Sequence, residues 1–177
     1  NDLVAKGDAG EFIRINEALH EKSIAQIADQ ICQDPNRRLI LIAGPSSSGK
    51  TTFAQRLGIQ LKVNGQRPVT ISLDNYYLDR DKCPRDQYGQ YDFESIQAID
   101  IAQFNEDLTR LLQGEAVRLP RFDFAKGRQV DSGVTLQLGE RQPIVVEGIH
   151  GLNESLTAMI PREMKFKIYI SCLTQLN

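Results

Sequence analysis

The sequence predicts an α/β domain of three layers, with a parallel central sheet, helices on both faces and a small β-hairpin excursion. Two observations predict it. Short apolar runs alternate along the chain with stretches of helical periodicity, the pattern of a parallel sheet joined by crossover helices. One of those runs, Leu39–Ala43, ends abruptly in a glycine- and serine-rich loop, at the edge where such sheets collect ligands.

Each element has its own signal. The first dozen residues are polar with two glycines and read as a flexible lead-in. Over 16–33, Ala18, Leu19, Ile24, Ile27, Ala28 and Ile31 recur mostly at helical spacing, and "DPNRR" ends that helix. After the apolar run and its loop, a helical pattern covers 52–63, "NGQRP" turns the chain, and "VTISLD" at 69–74 reads as a strand. A polar, tyrosine-rich segment leads to about residue 92. Residues 94–113 read as a helix with Ile96, Ile99, Ile101, Phe104, Leu108, Leu111 and Leu112 on one broad face. "VRLPRFDF" and "VTLQL", within 117–138, are joined by a glycine-containing turn and predict a hairpin. "PIVVEG" at 143–148 is a short buried strand, 152–161 a short helix, and "FKIYISC" at 166–172 a last strand. The expected division is a lead-in and connecting helix at 1–37 and one compact domain at 38–177. With no initiator methionine and no helix after the last strand, the chain reads as part of a longer one, incomplete at its C-terminal end.

Composition narrows the class. Charged residues make up 25% and hydrophobic ones 41%, as in a soluble globular protein. A net charge of −2 supplies no basic field for nucleic acid. Cys32, Cys83 and Cys172 are scattered without CxxC spacing, so neither a disulfide framework nor a zinc site is readable and reduced thiols are expected. No apolar run approaches the ~20 residues of a membrane span. The expectation is a cytoplasmic protein with no nucleic-acid or membrane partner, its oligomeric state open and a homo-oligomer one alternative.

Gly44, Pro45, Ser46, Ser47, Ser48, Gly49, Lys50 and Thr51 match GxxxxGK[ST] at every fixed position, and Thr52 follows. Glycines let backbone N–H groups turn inward around a phosphate, and the next helix presents its positive end. Lys50 is expected on the terminal phosphates and Thr51 on Mg²⁺. This is a P-loop, set between a strand and a helix as its mechanism demands, and it predicts a P-loop NTPase fold binding ATP or GTP. The base-selecting NKxD segment of GTPases is missing, and "DQYG" at 86–89 has no strand before it.

Two acids fall at strand ends facing the same crevice: Asp74 after "VTISL" and Glu147 after "PIVV". Such carboxylates orient or deprotonate a hydroxyl, or hold Mg²⁺ through water. The bland alternatives are a turn cap for Asp74 and an exposed strand-end charge for Glu147. His150 approaches phosphate or is held by a local hydrogen bond. Tyr76, Tyr77, Tyr88, Tyr91 and Phe93 either sandwich a flat acceptor or pack an irregular loop. Phe122, Phe124, Lys126 and Arg128 sit on the hairpin, which is expected to overhang the crevice.

Together these segments resemble the phosphoribulokinase/uridine kinase family of P-loop kinases. "GPSSSGKTT" is similar to its P-loop, "SLDNYY" to its S-x-D-x-F-Y element, and "YDFESIQAID" to the F-N-F-D-H-P-D-A-F-D segment of uridine kinases. "PRFDF" resembles the nucleoside-pocket element P-x-Y-D-F, and "VVEGIHGL" the strand ending in E-G-I. The resemblance implies that Asp74 is the general base, that Glu94 takes the place of the ribose-binding aspartate, and that Tyr77, Phe122, Phe124 and Arg128 line the acceptor pocket. It departs from uridine kinases where "AKGRQ" lacks their pyrimidine-contacting histidine, where Phe122 replaces a tyrosine, and where Glu94 replaces the shorter aspartate. A bacterial branch is similar in "EGIHGLN…KFKIYISCLTQLN"; there the kinase follows a domain related to the N-terminal region of threonyl-tRNA synthetase, and an arginine-rich lid and last core strand would follow Asn177. The implied activity is transfer of the γ-phosphoryl of ATP, with Mg²⁺, to a hydroxyl of a small acceptor, a nucleoside first. The alternatives are a nucleotide-sensing module without turnover and a kinase for a sugar phosphate.

Overall fold

The computed structural model describes residues 9–171. Strand β1 (Leu39–Ala43) is buried along its whole length, with Leu39 and Leu41 on one face and Ile40 and Ile42 on the other. A strand covered on both faces reads as a continuous apolar run for this reason. It lies between β5 (Ile144–Glu147) and β6 (Lys165–Tyr169), and β2 (Val69–Ser72) pairs with the far side of β5. All three pairings are parallel, and the register sets Ile42, Glu147 and Ser72 in one row. The segments leaving β1 and β2, and the end of β5 itself, therefore emerge together at one edge.

Helices α1 (Ala9–Cys32) and α2 (Lys50–Val63) cover one face, where Ile24, Ala28, Ile31, Leu57 and Leu61 pack around Ile40, Ile42 and Val145. Helix α3 (Ile101–Leu112) covers the other with Phe104, Leu108 and Leu111 against Leu39, Leu41 and Val146. The three layers and parallel sheet are those the sequence predicts. Strands β3 (Val117–Asp123) and β4 (Arg128–Leu136) form a separate antiparallel hairpin. Its tight turn is built by Asp123, whose carboxylate accepts the N–H groups of Ala125 and Lys126, each at 3.1 Å.

The structure moves several boundaries. Helix α1 begins at Ala9, not near residue 16, because its first turns need no burial: Phe12, Ile13 and Ile15 are exposed, so no periodicity marks them. The strand expected at 69–74 stops at Ser72, whose hydroxyl accepts the Asp74 N–H at 3.4 Å and starts a 3₁₀ turn, Leu73–Tyr76. The helix expected from 94 starts at Ile101. Asp92 and Ser95 cap local turns, and Asp100 accepts the Gln103 N–H at 3.0 Å as the true N-cap. Ile96 and Ile99 meet the core from an irregular segment that happens to mimic helical spacing. The second hairpin strand starts at Arg128, six residues before "VTLQL". The short helix expected at 152–161 is a single 3₁₀ turn, Glu154–Thr157. The last strand ends at Tyr169; Cys172 and the beginning of the lead-in, 1–8, lie outside the described residues.

Candidate active site

The P-loop leaves β1 at Gly44, where a side chain has no room: a Cβ there would lie 2.5 Å from the Ile170 carbonyl oxygen and 2.8 Å from Ser48 Oγ. Ser47 and Gly49 both take left-handed backbone conformations, φ 59° and 83°, which fold the loop back onto the first turn of α2. Lys50 Nζ donates to the Pro45 carbonyl at 2.7 Å, and Ser48 Oγ is buried without a hydrogen-bond partner among the described residues. This is a backbone cradle at a helix N-terminus, with a cation beside it.

Glu147 ends β5, next to β1 in the sheet, and is only 7% exposed. Thr51 Oγ1 donates to its Oε2 at 3.4 Å, and no cationic side chain pairs with it among the described residues. A buried carboxylate without a counter-charge is costly unless a cation joins it. Thr51 and Glu147 thus suit Mg²⁺, which takes few protein ligands and completes its shell with phosphate and water.

Asp74 follows β2 on the other side of β5 and faces the same crevice. Its carboxyl is held above the usual carboxylate range by burial and by the negative charge of Glu147, with Lys50 opposing. The crevice holds about 520 Å³ and brings together Ser46, Ser47, Lys50, Thr51, Asp74, Glu94 and Glu147. Tyr77, Phe93, Phe122 and Phe124 form an aromatic wall of edge-to-face contacts, with Tyr77 at 6.0, 5.7 and 6.4 Å from the three phenylalanine rings. The Tyr77 hydroxyl donates to the Phe93 carbonyl at 3.1 Å, and burial, with Asp74 nearby, pushes its pKa up to about 12, so it stays a neutral donor.

Other expected residues lie elsewhere. Of the remaining tyrosines, Tyr76 is core, its hydroxyl donating to the buried Asp107 at 3.1 Å; Tyr88 is exposed, and Tyr91 carries the Arg85 guanidinium 4.2 Å above its ring. Neither Lys126, paired with Asp123 at 3.6 Å, nor Arg128 lines the crevice; β4 turns Arg128 outward, into solvent. Thr52 is exposed on α2 and does not line it either. Gly44 and Pro45 belong to an adjoining cavity of about 340 Å³, with His150, Tyr169 and the shared Glu94. Burial pushes the His150 imidazole down, against the Glu94 and Ser95 backbone, and its Nε2 is buried without a partner among the described residues. Arg80 lines the main crevice and was not read from the sequence. Its only sequence signal is one basic residue in a polar segment, because the hairpin turn that holds it lies some forty residues further on.

The family model for the phosphoribulokinase/uridine kinase family matches residues 39–177. The chain belongs to this family. Among curated relatives, a uridine kinase of Chloroflexus aggregans is 33% identical over 135 residues, covering 76% of this chain and 61% of that protein. A uridine kinase of Staphylococcus aureus strain JH9 is 32% identical over 133 residues, 75% of this chain and 60% of the relative. The chain thus spans about three-fifths of the length of the curated relatives it matches. Among solved structures, one described as a possible uridine kinase from Bacillus stearothermophilus has a TM-score of 0.61 at 26% identity, covering 77% of this chain and 72% of that one. In this family setting, Asp74, Glu147 and the P-loop occupy three neighbouring strand ends of one sheet. No helix among the described residues is long and apolar enough to cross a membrane.

Proposed function

We propose that this protein is a P-loop kinase that transfers the γ-phosphoryl group of ATP to a hydroxyl of a small acceptor, in the cytoplasm, where Cys32 and Cys83 stay reduced. The observation that carries the reading is the row of Lys50, Glu147 and Asp74 around one crevice, which Glu94 and an aromatic wall also line. A nucleotide-binding module needs only the loop. An unpaired carboxylate of raised proton affinity beside it is what activation of an acceptor requires.

In this mechanism the loop backbone and Lys50 hold the β- and γ-phosphates. Thr51 and Glu147 would hold Mg²⁺, which when bound would neutralise phosphate charge. Asp74 accepts the proton of the acceptor hydroxyl as the hydroxyl oxygen attacks the γ-phosphorus and ADP leaves. Burial and the charge of Glu147 raise the proton affinity of Asp74, which makes it a stronger base than an ordinary carboxylate. Glu94 accepts hydrogen bonds from further hydroxyls, and the aromatic wall suits a flat ring, so a nucleoside scaffold is the first acceptor to test.

The test is ADP release by the full-length protein over a set of nucleosides and sugar phosphates, with Asp74→Asn alongside. The expected result is acceptor-dependent release that the variant loses while its ATP affinity stays near wild type. Stoichiometric nucleotide binding with no acceptor-dependent release would instead make the protein a nucleotide sensor. Wild-type turnover by Asp74→Asn would remove the base from Asp74.

A further inference from the structure

We propose that Arg80 is the acceptor-recognition residue of this site, and that the acceptor it selects carries an oxyanion, a phosphate or a carboxylate, beside its reactive hydroxyl. The inference rests on the kinase reading and sharpens it, because it makes uncharged acceptors the poorer substrates.

Arg80 comes a few residues after the 3₁₀ turn of Asp74 and is fixed by the hairpin. Its backbone N–H donates to the Gly127 carbonyl at 2.8 Å and its Nη2 to the Phe124 carbonyl at 3.3 Å. Gly127 has φ 62°, and a Cβ there would lie 2.8 Å from Arg80 Nε and 2.9 Å from Cζ. The guanidinium therefore lies against the bare backbone of the turn. It is placed in advance and opens onto the crevice.

No carboxylate pairs with Arg80 among the described residues, so its charge is left uncompensated there. Two of the acids near it are committed elsewhere. Asp79 binds Lys82 at 3.4 Å and accepts the Gln129 N–H at 2.9 Å; Asp123 binds Lys126 at 3.6 Å and caps the hairpin turn. Lys50, the other cation on the crevice wall, sits on the P-loop and serves the phosphates of the donor. Arg80 is thus the cation left for the acceptor on that wall. A planar fork of donors held rigidly is suited to a carboxylate or phosphate, and such charge-assisted bonds are the strong ones. An acceptor of this kind would reach from Asp74 at its hydroxyl to Arg80 at its anion.

The experiment compares matched acceptor pairs in the ADP-release assay on the full-length protein: a nucleoside and its 3′-monophosphate, a pentose and its 5-phosphate, a sugar alcohol and its sugar acid. The ratio of kcat/KM between charged and uncharged members is the readout, so any general loosening of the hairpin in a variant divides out. Wild type is expected to favour the charged member of at least one pair by about tenfold or more. Arg80→Gln collapses that ratio toward one through KM, and Arg80→Lys, which keeps the charge but loses the fork, retains part of it. The phosphate and carboxylate pairs distinguish the two sources of anion. Equal or better use of the uncharged members by wild type overturns the role of Arg80 and leaves the kinase intact, as does a ratio that Arg80→Gln leaves unchanged. If no acceptor of either kind raises ADP release above that of Asp74→Asn, the kinase reading fails and takes the inference with it.

Discussion

In the proposed mechanism Asp74 serves chemistry at the expense of stability. It is open to the crevice, yet burial of its surroundings and the charge of Glu147 raise its proton affinity in the folded chain. Between the ordinary carboxylate pKa and the raised folded value, the folded chain binds more protons than the unfolded one. Stability therefore falls as pH rises through that window and stays lower above it. Asp74→Asn removes the charge, so at pH 7, without metal or nucleotide, its Tm should exceed wild type by about 1–2 °C, a small gain because solvent screens an open group. The advantage should vanish below the ordinary carboxylate pKa, where wild type is protonated in both states. Thermal melts at several pH values check this, and turnover should fall by about 10²–10⁴-fold in the same variant. Loss of activity together with a lower Tm would show that Asp74 holds structure.

Two turns, each hinging on a glycine, divide the labour of the crevice at the scale of elements. The P-loop approaches β6 so closely at Gly44 that Gly44→Ala drives a methyl group into the Ile170 carbonyl, a backbone atom that cannot swing aside. Nucleotide affinity should drop by at least about tenfold, read by equilibrium binding, because the cradle moves off its strand. Gly127→Ala strains a left-handed residue and presses on Arg80. It should raise acceptor KM several-fold with nucleotide affinity retained, and a reversed pattern would detach the hairpin from acceptor binding. The two sites differed in how far the sequence exposed them. Gly44 to Thr51 form one contiguous loop, so its place was legible directly, and Asp74 and Glu147 were legible as strand ends. Glu94 was singled out through family resemblance alone. Arg80 was not legible, because its role depends on a hairpin turn folding back over it. Arg128 does not line the crevice because a strand's alternation turns it outward, and Lys126, in the hairpin turn, pairs with Asp123 instead.

Across the whole molecule, the parallel sheet was legible because strands buried on both faces must be apolar throughout, as Leu39–Ala43 is. The reach of α1 was not, because half of that helix touches nothing that would impose a pattern. Ile24, Ala28 and Ile31 are buried against the sheet, whereas Phe12, Ile13, Ile15 and Leu19 are exposed. A domain boundary at 37/38, as the sequence suggests, would separate Ile24 from Ile40 and Ile42, its companions in one apolar cluster. We therefore propose that the folding unit includes the C-terminal half of α1. Ile24→Ala removes a fully buried side chain between helix and sheet and should cost about 2–5 kcal/mol, since the close-packed surroundings relax only in part. Leu19→Ala, less than two turns earlier, should stay within about 0.5 kcal/mol of wild type. Denaturant unfolding followed through the sheet separates the two outcomes. A lower midpoint for Ile24→Ala at unchanged slope places α1 inside the cooperative unit. Equal midpoints for the two variants would make α1 a connector that docks on the domain without supporting it.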